Sequence, residues 1–127
     1  MANLFVYGSF MKGYMNNKHL KGYTEERAIL PNYRKIWPRS KDNPVIIHEL
    51  KSFVVGELYR NISENTLNLV KRLEGVPHST KLKEVEIIVK DTNEKVKAVI
   101  IYPHKDKMHE WLKAIRKEEF NDNRILI

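Results

Sequence analysis

Glu74, in the run Leu73-Glu74-Gly75-Val76-Pro77, stands where the pattern predicts the last turn of a helix. A helix C-terminus carries partial negative charge and ordinarily favours Lys or Arg, so a carboxylate there is electrostatically out of place. Partial burial of the turn would act in the same sense, lifting the carboxyl above its ordinary value of about 4.3 and suiting it to general acid/base work. The second candidate is Tyr7-Gly8-Ser9-Phe10, where a short apolar run breaks at a glycine. Gly8 tolerates backbone angles denied to other residues, and successive N–H groups at such a break can form a nest for a carboxylate or a developing oxyanion. The Tyr7 and Ser9 hydroxyls are further donors whose direction the sequence does not fix. One carboxylate and one anion cradle together imply a small-molecule site. Each also has a plainer reading: Glu74 after Lys71 and Arg72 fits a solvated turn, and Tyr-Gly-Ser fits a strand end that only turns.

Other chemistry is thinly represented. The chain has no cysteine, which removes disulfides, thiolate nucleophiles and cysteine-ligated metals. His19, His48, His78, His104 and His109 show no i, i+4 pairing and no HExxH arrangement, so no metal site is expected. His78 lies four residues beyond Glu74 and reads as a loop histidine. Tyr59 and Trp37 read as packing residues, with either able to line a substrate wall. Ser9 is not the serine of a G-x-S-x-G elbow, and no Gly-rich phosphate loop occurs.

The elements that must position Glu74 and Gly8 follow from periodicity. Asn3 to Tyr7 reads as a strand, and Met11 to Leu20 contains a short helix ending near Gly22. Thr24 to Trp37 reads as one or two strands interrupted at Pro31, and Pro38 and Pro44 bracket a loop. Val45-Ile46-Ile47 and Phe53-Val54-Val55 read as two strands separated by a polar turn, with Gly56 allowing close backbone approach. A helix over 64–74 has Ser63 as N-cap, an Ile62/Leu67 staple, a core stripe of Leu67, Val70 and Leu73, and Gly75 at C′. Residues 82–89 and 95–102 form a hairpin around Asp91-Thr92-Asn93-Glu94, with Val85, Ile87 and Val89 on one face. Met108, Trp111, Leu112 and Ile115 predict a last amphipathic helix. No regular βαβ alternation, repeat or low-complexity segment appears. The class is therefore α+β with a largely antiparallel, curved sheet.

Composition bounds the rest. With 127 residues, 42% hydrophobic and 31% charged, the sequence fits a single domain spanning 1–127 with a modest core. No apolar run reaches the roughly 18 residues of a membrane span, and no signal-peptide pattern opens the chain, so a cytoplasmic protein without membrane partners is expected. A formal charge of +7 invites a nucleic-acid reading. The Lys and Arg residues are nevertheless scattered, often beside Glu, with no run of four, as on solvated faces. No nucleic-acid partner is expected; the surplus charge suits attraction of a carboxylate-bearing ligand.

The segment "LFVYGSFMKG", followed downstream by "GELY" and "RLEGVP", resembles the gamma-glutamylcyclotransferase-like family, which includes the AIG2-like and gamma-glutamylamine cyclotransferase branches. The likeness covers most of the chain. It rests on Tyr7-Gly8-Ser9, on Val55-Gly56-Glu57-Leu58-Tyr59 and on Leu73-Glu74-Gly75, in order. The resemblance implies a small, closed or nearly closed, mostly antiparallel β-barrel flanked by short helices. It also implies a cofactor-free enzyme that converts a γ-glutamyl amine or γ-glutamyl amino acid into 5-oxoproline plus free amine. On that reading Glu74 is the catalytic acid/base, Tyr7, Gly8, Ser9 and Phe10 hold the substrate, and no metal takes part. The alternative is a catalytically silent binding module with the same pocket. Two departures stand out: Thr80-Lys81 where the family commonly has an aromatic followed by Arg, and Phe10 where Leu or Asn is typical. Whether the protein is a monomer or a homodimer is left open.

Overall fold

A computed structural model describes residues 2–37, 44–76 and 80–103. Five strands close into a barrel: β1 (Ala2–Val6), β2 (Glu25–Ile36), β3 (Val45–Ile62), β4 (Thr80–Val89) and β5 (Lys95–Pro103), in the order β1-β3-β2-β4-β5. Four of the five pairings are antiparallel. The closing one, β1 against β5 with Leu4 opposite Val99, is parallel. A 3-10 helix (Met15–Leu20) and helix α1 (Glu64–Leu73) lie outside the wall. This is the α+β barrel that the sequence pattern and the resemblance imply.

β1 explains its own unbroken apolar run. Because side chains alternate across a strand, Phe5 enters the barrel interior with Leu30, Val54, Leu58 and Ile100. Its neighbours Leu4 and Val6 face outward and are covered by Phe10, Leu20, Tyr59, Ile62 and Val70. A strand buried on both faces has no room for alternation between polar and apolar residues. β5 is built alike, with Ile100 inward and Ile101 outward.

Two predicted breaks do not occur. Pro31 does not divide the second strand, which runs continuously from Glu25 to Ile36, with a shift of register between Pro31 and Tyr33 and a left-handed Asn32. The predicted pair of strands around 45–55 is one strand, β3, of 18 residues. Its polar stretch is a bulge: Pro31 pairs with Phe53 and Tyr33 with His48, so residues 49–52 oppose Asn32 alone. β2 and β3 therefore keep pairing on both sides of the irregularity.

α1 begins and ends on the residues expected of it. Ser63 Oγ accepts a hydrogen bond from the Thr66 N–H at 3.1 Å. At the other end Gly75 has φ +80°, the Gly75 N–H donates to the Arg72 carbonyl at 3.3 Å, and the Val76 N–H donates to the Lys71 carbonyl at 2.9 Å. That is a Schellman motif, which requires a residue at ease with positive φ. The predicted stripe needs one correction. Val70 is fully buried and Leu67 partly so, but Leu73 is 48% exposed; Val76, folded back by the Schellman turn, packs on that core instead. The expected turn between β4 and β5 closes through the Val89 N–H to the Glu94 carbonyl and the Asn93 N–H to the Val89 carbonyl, both 2.8 Å. The amphipathic helix predicted around Met108–Ile115 and the loop between Pro38 and Pro44 fall outside the described residues, apart from Pro44 itself.

Gly56 is where β1 and β3 approach most demandingly. A methyl group there would fall on the Val6 carbonyl oxygen and lie 2.6 Å from Cζ of Phe5. Backbone cannot move aside as a side chain can. Gly56→Ala should therefore cost at least the upper part of the usual overpacking range, about 2–3 kcal/mol, read as a lowered urea midpoint with an unchanged slope. A midpoint within experimental error of the parent would show that the strands are free to part there.

Candidate active site

Beyond Val6, β1 runs into the loop Tyr7–Phe10, which meets the C-terminal end of α1. Phe5, Val6, Tyr7, Gly8, Ser9, Phe10, Pro44, Val70, Glu74 and Ile101 line one narrow hollow of about 20 Å³, roughly the space of one water. Glu74 and all four residues of the predicted cradle thus lie around a single space. A wider hollow of about 140 Å³ adjoins it across a shared wall of Tyr7, Gly8, Ser9 and Pro44, and is completed by Met11, Tyr14, Lys35 and Trp37.

The hydrogen bonds that shape the loop run through its carbonyls. Gly8 C=O accepts from the Met11 N–H at 2.9 Å, Ser9 C=O from the Asn16 N–H at 2.9 Å, and Phe10 C=O from Asn17 Nδ2 at 2.8 Å. Ser9 Oγ accepts from Asn16 Nδ2 at 2.8 Å. Gly8 serves the site differently from the sequence argument. Its φ is not among the positive values, so special backbone freedom is not what it contributes. A Cβ at this position would sit 3.3 Å from Cδ of Pro44, and glycine here keeps the shared wall thin.

Tyr7 turns its ring toward the barrel core, and its hydroxyl donates to the Ile101 carbonyl at 2.6 Å, tying the end of β1 to β5. Burial, and then the negative charge of Glu74, push the phenol well above its ordinary value. Tyr7 is therefore neutral at any ordinary pH, with its proton committed to a backbone carbonyl. Glu74 is half-buried at the C-cap of α1, with φ −93° and ψ 3°, and its N–H donates to the Val70 carbonyl at 3.0 Å. Its own carbonyl accepts from Thr80 Oγ1 at 2.8 Å. Among the described residues no cluster of His, Asp and Glu could hold a metal.

A second carboxylate, Glu57, is buried on the outer side of β3 and is 8% exposed. Its Oε1 accepts from the Lys12 N–H at 2.8 Å and from the Tyr59 hydroxyl at 3.1 Å, and Asn17 Nδ2 donates to Tyr59 Oη at 2.8 Å. Since Asn17 also holds Phe10 C=O, this chain of polar groups runs from β3 to the cradle loop. Glu57 is a strut and does not line either hollow.

The profile of the family "Gamma-glutamyl cyclotransferase, AIG2-like" matches residues 4–122. The chain belongs to this family. It is 34% identical over 112 residues to a Methanocaldococcus jannaschii protein named "Putative gamma-glutamylcyclotransferase", covering 81% of this chain and 86% of that one. The fold matches a mouse AIG2-like protein with a TM-score of 0.75 at 20% identity, over 88% of this chain and 82% of that one. An Arabidopsis thaliana solution structure matches with a TM-score of 0.68 at 23% identity, over 96% and 87% of the two chains. At such identities the structural matches speak for the fold alone.

Within this AIG2-like member, the departure at Thr80-Lys81 has a visible consequence. Thr80 is buried, opens β4, and bonds the Glu74 carbonyl, so it anchors the turn that carries the carboxylate. Lys81 is exposed. Sequence reasoning missed this anchor, since a hydroxyl six residues from a helix end carries no signal until the chain folds back. It also missed Asn16, Asn17 and Lys35, ordinary polar residues by type. Tyr59 is buried as expected, but beneath the 3-10 helix; Trp37, read as packing, is 42% exposed at the wider hollow. His78 lies outside the described residues.

Burial, opposed by the Asn17 hydrogen bond and aided by the Glu57 charge, pushes the Tyr59 phenol up to about 12. The folded protein therefore holds this proton more firmly than the unfolded chain, where a tyrosine titrates near 10. The resulting stability is complete below pH of about 10 and is lost as pH rises toward 12. Tyr59→Phe should flatten the fall of the urea midpoint between pH 9 and 12, leaving a residual slope from Tyr7 and Tyr102. An unchanged slope would mean that Tyr59 is not coupled to folding in this way.

Proposed function

We propose that this chain is a cofactor-free gamma-glutamyl cyclotransferase that cyclises a γ-glutamyl amine or amino acid to 5-oxoproline and releases the free amine, with Glu74 moving the protons. The observation that supports it is the sharing of one hollow by Glu74 and the Tyr7–Phe10 loop, in a member of this family. The neighbouring groups support the choice of Glu74. Tyr7 is held neutral with its proton engaged, and Glu57 is occupied by Lys12 and Tyr59 away from the hollow.

The N–H groups of the cradle hold the substrate α-carboxylate or the γ-oxyanion. An α-ammonium group is mostly protonated at neutral pH and is then no nucleophile. Glu74 accepts a proton from it, and the freed amine attacks the γ-carbonyl carbon, closing a five-membered ring. The ring nitrogen gives up a second proton as the tetrahedral intermediate collapses. The γ-carbon to nitrogen bond breaks, the departing nitrogen takes up both protons by way of Glu74, and the carboxylate ends as it began. Folding a flexible chain into the ring-forming conformation contributes through orientation.

Incubation with γ-glutamyl dipeptides and γ-glutamylamines should release 5-oxoproline, and Glu74→Gln should lower kcat by about 10²–10⁴ while substrate binding stays within a few-fold. A Glu74→Gln enzyme retaining a tenth of the parental rate would place the acid/base elsewhere. Binding without release from the parent protein would favour the silent binding module.

A further inference from the structure

The wider hollow beside the cradle has no part in the cyclisation chemistry, yet it shares the wall that would hold the γ-glutamyl group. A leaving group attached to that γ-carbon has this chamber next to it. Its size of about 140 Å³ is close to that of a cavity that holds benzene, on the order of 150 Å³. Its walls have two chemistries. Met11, Tyr14 and Trp37 give apolar and aromatic surface, with Trp37 42% and Tyr14 61% exposed. Lys35, near the end of β2, adds a cation.

Lys35 stands apart among the described cations. Burial alone pulls its ammonium below the ordinary value, and no ion pair joins it to a carboxylate among the described residues. Lys12 and Arg60, by contrast, are paired with Glu25 and with Glu26 and Glu94. A partly desolvated ammonium at the edge of an apolar chamber is completed by an anion and repels a second cation.

We infer that this chamber is the leaving-group subsite, and that it selects an α-amino acid with an apolar side chain, the side chain against Met11 and Trp37 and the carboxylate on Lys35. The substrate class is then a γ-glutamyl dipeptide with an apolar second residue, in preference to a γ-glutamylamine. This rests on the cyclotransferase reading above for turnover, but the charge preference of the subsite can also be read from binding.

The test compares γ-glutamylphenylalanine with γ-glutamylphenethylamine, which differ only in the carboxylate. Parent protein should show a kcat/KM at least tenfold higher for the dipeptide, the effect of one charge-assisted hydrogen bond. Lys35→Met should lower that ratio about tenfold or more, and Lys35→Arg should keep most of it. Calorimetric binding of the two compounds to the Glu74→Gln variant should show the same preference without turnover. Equal or better use of the amine by the parent protein, or Lys35→Met weakening both compounds alike, would overturn the subsite. If neither compound is turned over but the binding preference is present, the cyclotransferase reading fails for these substrates and the subsite stands. If turnover occurs with no preference in rate or binding, the reverse holds.

Discussion

The site depends on how closely β1 lies against β3. At Gly56 the two backbones come within a distance that admits no side chain, with the Phe5 ring and the Val6 carbonyl filling the place of a Cβ. Val6 is the last residue of β1, and Tyr7 and Gly8 follow at once, so this contact fixes where the cradle loop leaves the wall. The parallel pairing of β1 with β5 closes the barrel on the other side, and the Tyr7 hydroxyl reinforces it through Ile101. Any loosening at Gly56 would be transmitted to the loop directly, without passing through a flexible segment.

Two glutamates show how placement separates one role from another. Glu57 is nearly inaccessible, and its charge is met by a backbone N–H and a phenol, the kind of satisfaction a buried carboxylate needs. Its position makes it a structural support for the loop. Glu74 is held by its backbone, through α1 on one side and Thr80 on the other, while its side chain meets the hollow. A glutamate whose main chain is held from both sides keeps its place beside the hollow. Such a fixed position suits the acid/base role proposed for Glu74.

Much of this was legible in the sequence because the signals were local. Ser63 and Gly75 specify the ends of α1 through hydrogen bonds within a few residues, and the apolar run Leu4–Tyr7 reports burial on both faces. The missed features are those in which tertiary pairing overrides a local cue. Pro31 and the polar stretch 48–52 look like strand breakers, but the long β2–β3 ladder continues on both sides of them and carries the irregularity as a bulge. Leu73 fits the helical stripe, yet the Schellman turn brings Val76 onto that face and leaves Leu73 outside. Thr80, Asn17 and Lys35 acquire their roles from partners far away in sequence, which no spacing rule could supply.

The cradle loop has one further property that follows from its thinness. Gly8 places only backbone between two hollows, with Pro44 against it, so the same few atoms border the space beside Glu74 and the space beside Lys35. A ligand spanning both would be gripped at its middle by main chain, whose position is set by hydrogen bonds from Met11, Asn16 and Asn17. Main-chain contacts recognise the common part of a substrate series, whatever its tail. Side chains lining the wider hollow, Met11, Lys35 and Trp37 among them, are then free to differ without disturbing the main chain between the two hollows. On the reading proposed above, this separation would let one barrel end hold an unchanging chemistry beside a variable choice of leaving group.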